Sequence, residues 1–279
     1  MSLENAAKGA IINGNIKKEV YPMLCNYHTH TKYCGHAHGE TEEYIQEAVA
    51  SGLKVCGFSD HAPFAYPEDN WEAGHRVDMK YAPEQMEELK ALREKYKGQI
   101  EIPIGYEMEY YPAYFEHMLK TVKDFGAEYL ILGQHFYYDD RKPHPRTLKQ
   151  TKSVQMLASY VDIVCEAMKT GVFTYVAHPD IVWFTGSRET YRREMTRLCL
   201  TAKETGTPLE INLLGILTDR FYPHKEFWKL CGEIGCKVCI GIDAHGPERF
   251  AQKEILEKAL KMVEKYHLEL IDEMELKKI

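Results

Sequence analysis

The 279-residue chain contains no apolar run long enough to cross a bilayer. Residues 1–20 lack the apolar core of a secretory leader, so the expected location is the cytoplasm. An excess of positive charge is also missing. The formal net charge is −7, which removes bulk attraction to nucleic acid while leaving room for a local anion site. There is no low-complexity stretch and no linker, so a single domain is expected. A disulfide framework is not needed either. The eight cysteines include several inside apolar runs (Cys56, Cys165, Cys199, Cys239), and a chain this long builds its own core. Cys236-x-x-Cys239 has no second cysteine pair downstream and opens an apolar strand, so it reads as core packing.

What is present is a repeat of short apolar runs and helical patterns. The runs Met23–Tyr27, Lys54–Ser59, Glu101–Tyr106, Tyr129–Gly133, Phe173–Ala177, Leu209–Leu213 and Val238–Ile242 read as strands buried on both faces. Helices are expected over 40–51, 83–96, 114–125, 152–170, 187–205, 224–234 and 247–266, most of them stopped by a glycine. Strand then helix, repeated without a break, gives a parallel sheet with helical crossovers. The expected fold is α/β, a closed or nearly closed barrel spanning residues 21–267, with an N-terminal extension over 1–20 and a charged helix or tail over 268–279. Residues 61–80 form the longest irregular connection, a length usual for functional loops.

The chemistry lies at the strand ends. The first carries His28-x-His30, with His36 beyond. Later strands end in Asp60-His61, Glu107-Met108-Glu109, Gln134-His135, His178-Pro179-Asp180, Glu210-Ile211-Asn212 and Asp243-Ala244-His245. In α/β barrels the carboxyl ends of the strands build the active site. So many imidazoles and carboxylates exceed the four ligands of one zinc. Two or three divalent ions are implied, and clustered cations need an anionic bridge. Glu107, in the middle of the set, suits that bridge, and the donor types favour zinc, manganese or iron.

As an ordered set these motifs resemble the PHP (polymerase and histidinol phosphatase) superfamily, most closely its histidinol-phosphatase branch. The matching runs are His28-Thr29-His30-Thr31 with His36, Ser59-Asp60-His61, Gly105-Tyr106-Glu107, Gly133-Gln134-His135-Phe136, Ala177-His178-Pro179-Asp180 and Gly241-Ile242-Asp243-Ala244-His245. The resemblance implies a distorted, TIM-like (β/α)₇ barrel holding three metal sites. The first takes His28, His30, Glu107 and Asp243; the second takes His36, His61 and His245; the third takes Glu107, His135 and His178. It further implies a small phosphorylated metabolite as substrate, most closely histidinol phosphate in histidine biosynthesis. Where relatives of that branch carry Gly-Leu-Arg, this chain has Gly215-Ile216-Leu217, so that arginine is missing and Arg220 is the candidate replacement.

The expected reaction is attack of a metal-activated hydroxide on a phosphomonoester. Arg188 and Arg220 are the candidate phosphate contacts, and Asp243 or His245 the candidate proton donor to the leaving alkoxide. Competing readings are a phosphatase for a nucleotide or phosphotyrosine, an amidohydrolase-type barrel, and a non-catalytic metal-binding module. Oligomeric state is not specified by the sequence.

Overall fold

A computed structural model describes residues 23–141 and 145–279; the expected extension over 1–20 lies outside them. Strands β1 (Cys25–Asn26) and β2 (Val55–Cys56) pair in parallel. The strands β3 (Gly105–Met108), β4 (Tyr129–Leu132), β5 (Phe173–Val176), β6 (Leu209–Asn212), β7 (Lys237–Gly241) and β8 (Glu269–Leu270) form a parallel sheet in chain order. Single parallel bridges continue the pattern beyond these strands. Val55–Glu101, Phe58–Ile104 and His61–Glu107 join the β2 segment to the β3 segment, and Thr29–Ala244 joins the β1 segment to the end of β7.

The strands are wholly apolar where helices cover them. Tyr129-Leu130-Ile131-Leu132 is buried throughout, as a two-faced parallel strand must be. One side packs into the main core with the helices α1 (Thr41–Ala50), α2 (Ala82–Lys95), α3 (Phe115–Phe125), α4 (Val154–Thr170), α5 (Arg188–Thr205), α7 (Lys225–Ile234) and α8 (Lys253–Tyr266). Their ends follow local chemistry. Ser153 and Ser187 accept the amides of Met156 and Thr190 as N-caps of α4 and α5. The other side forms a smaller cluster of Cys25, Tyr27, Val55, Tyr129, Ile131, Tyr175, Ala177 and Cys239.

Three expectations need correction. The helix read over 247–266 is two elements: a 3-10 turn, Pro247–Ala251, and α8, separated by Gln252. A short helix, α6 (Leu213–Leu217), follows β6 directly, started by Asn212 accepting the amide of Gly215. The 268–279 segment is neither helix nor loose tail. β8 pairs with β7, the Asp272 carboxylate accepts the Leu24 amide at 2.9 Å, and Met274 and Leu276 close the smaller cluster. The two cysteines of Cys236-x-x-Cys239 part company. Cys239 joins the smaller cluster, whereas Cys236 groups with Cys199 and Cys231 between helices, and all are free thiols. Among the described residues no helix is long and apolar enough to cross a membrane.

Candidate metal centre

The strand-end residues converge. His28 Nε2 lies 3.1 Å from His30 Nε2, 3.7 Å from Glu107 Oε2 and 3.5 Å from Asp243 Oδ1. His30 Nε2 lies 3.5 Å from Glu107 Oε2 and 3.4 Å from Asp243 Oδ1. Donor atoms placed about 2.0–2.2 Å from one ion in a tetrahedron stand about 3.3–3.6 Å apart, so these four enclose an ion-sized point. A second group adjoins it: the His36 ring is 5.2 Å from His61 and 5.0 Å from His245. A third is formed where Glu107 Oε1 meets His178 Nε2 at 3.0 Å and His135 Nε2 at 3.6 Å.

Glu107 is the hinge of this arrangement. Oε2 faces His28, His30 and His61, while Oε1 faces His135 and His178. The residue is 1% exposed, and neither oxygen has a hydrogen-bond partner that satisfies it. An orphaned buried carboxylate is costly unless something else binds it. Space for it is made by sequence: a Cβ on Gly133 would lie 1.8 Å from Glu107 Oε1. Gly241 likewise leaves room for Glu210, whose Oε1 a Cβ there would meet at 1.8 Å. His178 and Asp243 sit at φ 31° and 54°, left-handed values that β-carbon-bearing residues avoid, so the backbone is strained where these side chains enter.

The rings are turned by their other nitrogens. His28 Nδ1 contacts Glu210 Oε1 at 2.8 Å, His135 Nδ1 contacts Glu109 Oε1 at 3.1 Å, His36 Nδ1 donates to the Cys34 carbonyl at 2.8 Å, and His245 Nδ1 donates to the Asp243 carbonyl at 3.1 Å. Fixing Nδ1–H this way leaves Nε2 free as a ligand. Asp60 accepts both the backbone amide and the hydroxyl of Thr31, and the Gln85 side-chain amide, so it pins the His30–His36 loop.

Protonation states fit the same use. Burial alone would push Glu107 up, but His135, His61 and His28 hold it well below the carboxylate range. Burial likewise opposes Asp243, and His28, His30 and His245 hold it well below. Burial drives His30 down to about 3, and drives His61 and His36 down as well. His28 goes the other way: burial lowers it, but Glu210, Asp243 and Glu107 outweigh that and raise it well above the usual imidazole. His135 is raised too, by Glu107 and Glu109 against its burial, so a divalent cation, which binds neutral imidazoles and ionised carboxylates, would displace protons from His28 and His135.

The outer residues divide. Arg220 donates to the Tyr222 hydroxyl at 2.5 Å, and the Tyr222 ring is 6.2 Å from His178, so this arginine stands at the edge of the centre. Arg188 does not. It is the first residue of α5, its side chain is 71% exposed, and it pairs with Glu226 at 2.8 Å. That pairing turns the side chain toward α7. Sequence reading missed Arg76 altogether. It is buried beside Glu109 and Asp140, and the irregular loop that carries it gave no periodic signal. Glu109 was visible, two residues after Glu107 and therefore on the same strand face.

A parallel α/β fold whose strand ends gather imidazoles around buried carboxylates defines the class of metal-dependent hydrolases. Within that class, the family model described as "PHP domain" matches residues 26–213, and the chain belongs to the PHP domain family. It is 26% identical over 230 residues to a probable histidinol-phosphatase of Deinococcus radiodurans, covering 80% of this chain and 87% of the relative. It is 27% identical over 264 residues to the histidinol-phosphatase of Bacillus subtilis, covering 83% of this chain and 97% of that one. Among solved structures it resembles a Lactococcus lactis histidinol phosphate phosphatase complexed with zinc, L-histidinol and phosphate. That match has a TM-score of 0.69 at 17% identity, over 91% of this chain and 99% of that chain.

Proposed function

We propose that this protein is a metal-dependent phosphomonoesterase that hydrolyses histidinol phosphate to histidinol and phosphate. The observation that carries the reading is Glu107, a buried carboxylate with both oxygens unsatisfied and each turned to a separate set of imidazoles. Three ions then fit, held by His28, His30, Glu107 and Asp243; by His36, His61 and His245; and by Glu107, His135 and His178. The histidinol-phosphatase relatives supply the choice of substrate. The bridges Thr29–Ala244 and His61–Glu107 favour reading the two sheets as one distorted (β/α)₇ barrel in a single domain, with the centre at its carboxyl mouth.

Divalent ions, when bound, supply charge to polarise the phosphoryl group and acidify water. The chain's own residues do the rest. Glu107 and Asp243 hold negative charge between the imidazoles, which lets cations lie close together. Arg220 presents a guanidinium at the rim, suited to phosphate oxygens. Of the two groups at the end of β7, Asp243 is held ionised, so His245 beside it is the candidate to hand a proton to the departing alcohol.

The test is phosphate release from histidinol phosphate, nucleoside monophosphates and a phosphotyrosine peptide, with manganese, zinc and iron each supplied. The expected result is turnover of histidinol phosphate with the largest kcat/KM. Preference for a nucleotide or phosphotyrosine would replace the substrate, and no release from any of them would remove the function.

A further inference from the structure

The connection from His61 to Tyr81 holds no helix and only isolated bridges, yet its Arg76 is 4% exposed. A guanidinium stays charged, so burying one demands acceptors on most of its N–H groups. Arg76 has them. Nη2 lies 2.6 Å from Glu109 Oε2 and donates to the Tyr111 hydroxyl at 3.2 Å. Nε donates to Asp140 Oδ2 at 2.9 Å, and Nη1 donates to the Ala62 carbonyl at 3.3 Å. Asp140 also accepts the Tyr66 hydroxyl at 2.6 Å.

Each partner leads back to the centre. The second oxygen of Glu109 lies 3.1 Å from His135 Nδ1, and the opposite nitrogen of that ring faces Glu107. Asp140 lies on the segment leaving His135, so the guanidinium is tied to that segment as well as to Glu109. Val77 next to it donates its amide to the His61 carbonyl at 3.1 Å, which returns the loop to another strand-end imidazole. A carboxylate with one oxygen ion-paired to a buried guanidinium is restrained in how it presents the other.

We propose that Arg76 is a positioning residue for metal binding at His135, acting through Glu109. The inference rests on the metal reading above but not on the substrate. A surface role is ruled out by its burial, and a purely structural clamp would not need one carboxylate shared between guanidinium and imidazole.

The experiment is a competition titration of metal-free protein with zinc against a chromophoric chelator. Wild type, Arg76→Met, Glu109→Gln and the double variant are compared, with thermal unfolding of each metal-free form. Glu109→Gln is expected to weaken the weakest-bound ion by about 10–100-fold, the usual cost of losing a carboxylate behind a ligating histidine, at little change in the metal-free unfolding midpoint. Arg76→Met is expected to do the same, and the double variant to be no weaker than either single variant, since the two act in series. Additive losses, wild-type affinity in Arg76→Met, or no zinc binding by the wild type would overturn it. Where Arg76→Met does not fold, Arg76→Met with Glu109→Gln and Asp140→Asn leaves no unpaired buried charge and takes its place. It should match Glu109→Gln, and a further loss of affinity overturns the proposal. Wild-type zinc binding with this pattern but no phosphate release would leave the inference standing and remove the phosphatase reading alone.

Discussion

The same strands furnish two interiors of opposite character. The smaller cluster presents Tyr27, Val55, Tyr129, Ile131, Tyr175, Ala177 and Cys239, with Met274 and Leu276 against it. Its polar atoms are satisfied: the Tyr129 hydroxyl reaches the carbonyls of Tyr27 at 2.8 Å and Phe58 at 3.0 Å. At the carboxyl ends, both oxygens of buried Glu107 and the His61 Nδ1 that faces one of them have no hydrogen-bond partner. One interior completes its own bonding and the other leaves its bonding to a ligand. Stability and chemistry are therefore carried by different parts of one set of strands, and a change in one should leave the other measurable.

The sharpest break is Glu107→Ala. It removes the one carboxylate among the described residues that faces both sets of imidazoles, so kcat should fall by about a thousandfold or more, the scale of losing metal charge stabilisation. Metal content by elemental analysis should fall with it. Full metal content and full activity in this variant would end the bridging role. The counterpart in the apolar interior is Ile131→Ala, which leaves a cavity there. Its unfolding free energy should drop by about 2–5 kcal/mol, while kcat of the folded fraction stays as in wild type. A loss of kcat at unchanged stability would show that the two interiors are not separable.

Asp180 tests the border between them by pH. Burial pushes its carboxyl up to about 7, against the His224 amide and the Trp228 indole, which pull it down. A carboxyl whose folded value lies above its unfolded value of about 3.9 favours the folded state below pH 4. That contribution is lost as pH rises through 7. In chelator-treated protein, wild type should therefore lose on the order of 2–4 kcal/mol between pH 4 and 8 relative to Asp180→Asn. Equal slopes for the two proteins in urea unfolding would reject the assignment. Smaller again is Glu210→Gln. Glu210 Oε1 turns His28 and Oε2 accepts the His178 amide at 2.9 Å, so metal affinity should fall by about 10–100-fold.

The centre was legible in the sequence because each candidate ligand follows its own apolar strand, and strand period carries orientation with it. The helices were legible through their serine and glycine ends. What was not legible depends on contacts distant in sequence. β8 has only two residues, one of them charged, and is a strand because β7 offers an open edge. The break at Gln252 interrupts a run that composition alone would continue. Arg76 lies in a loop without period, and its partners Glu109 and Asp140 come from two other segments.

The two arginines at the margin give the finest contrast, since sequence reading treated them alike. Arg220 is held at the Tyr222 hydroxyl, one ring from His178. Arg188 is spent on Glu226, which also binds Arg192. An exposed pair of this kind contributes little, about 0–1 kcal/mol, and Glu226 keeps a cationic partner when it is removed. Arg188→Ala should therefore leave kcat and KM unchanged and shift stability by less than about 0.5 kcal/mol. Arg220→Ala should raise KM for the phosphomonoester about tenfold, the cost of one charge-assisted hydrogen bond. If steady-state kinetics show the reverse, the phosphate enters over α5 and not over the segment that follows β6.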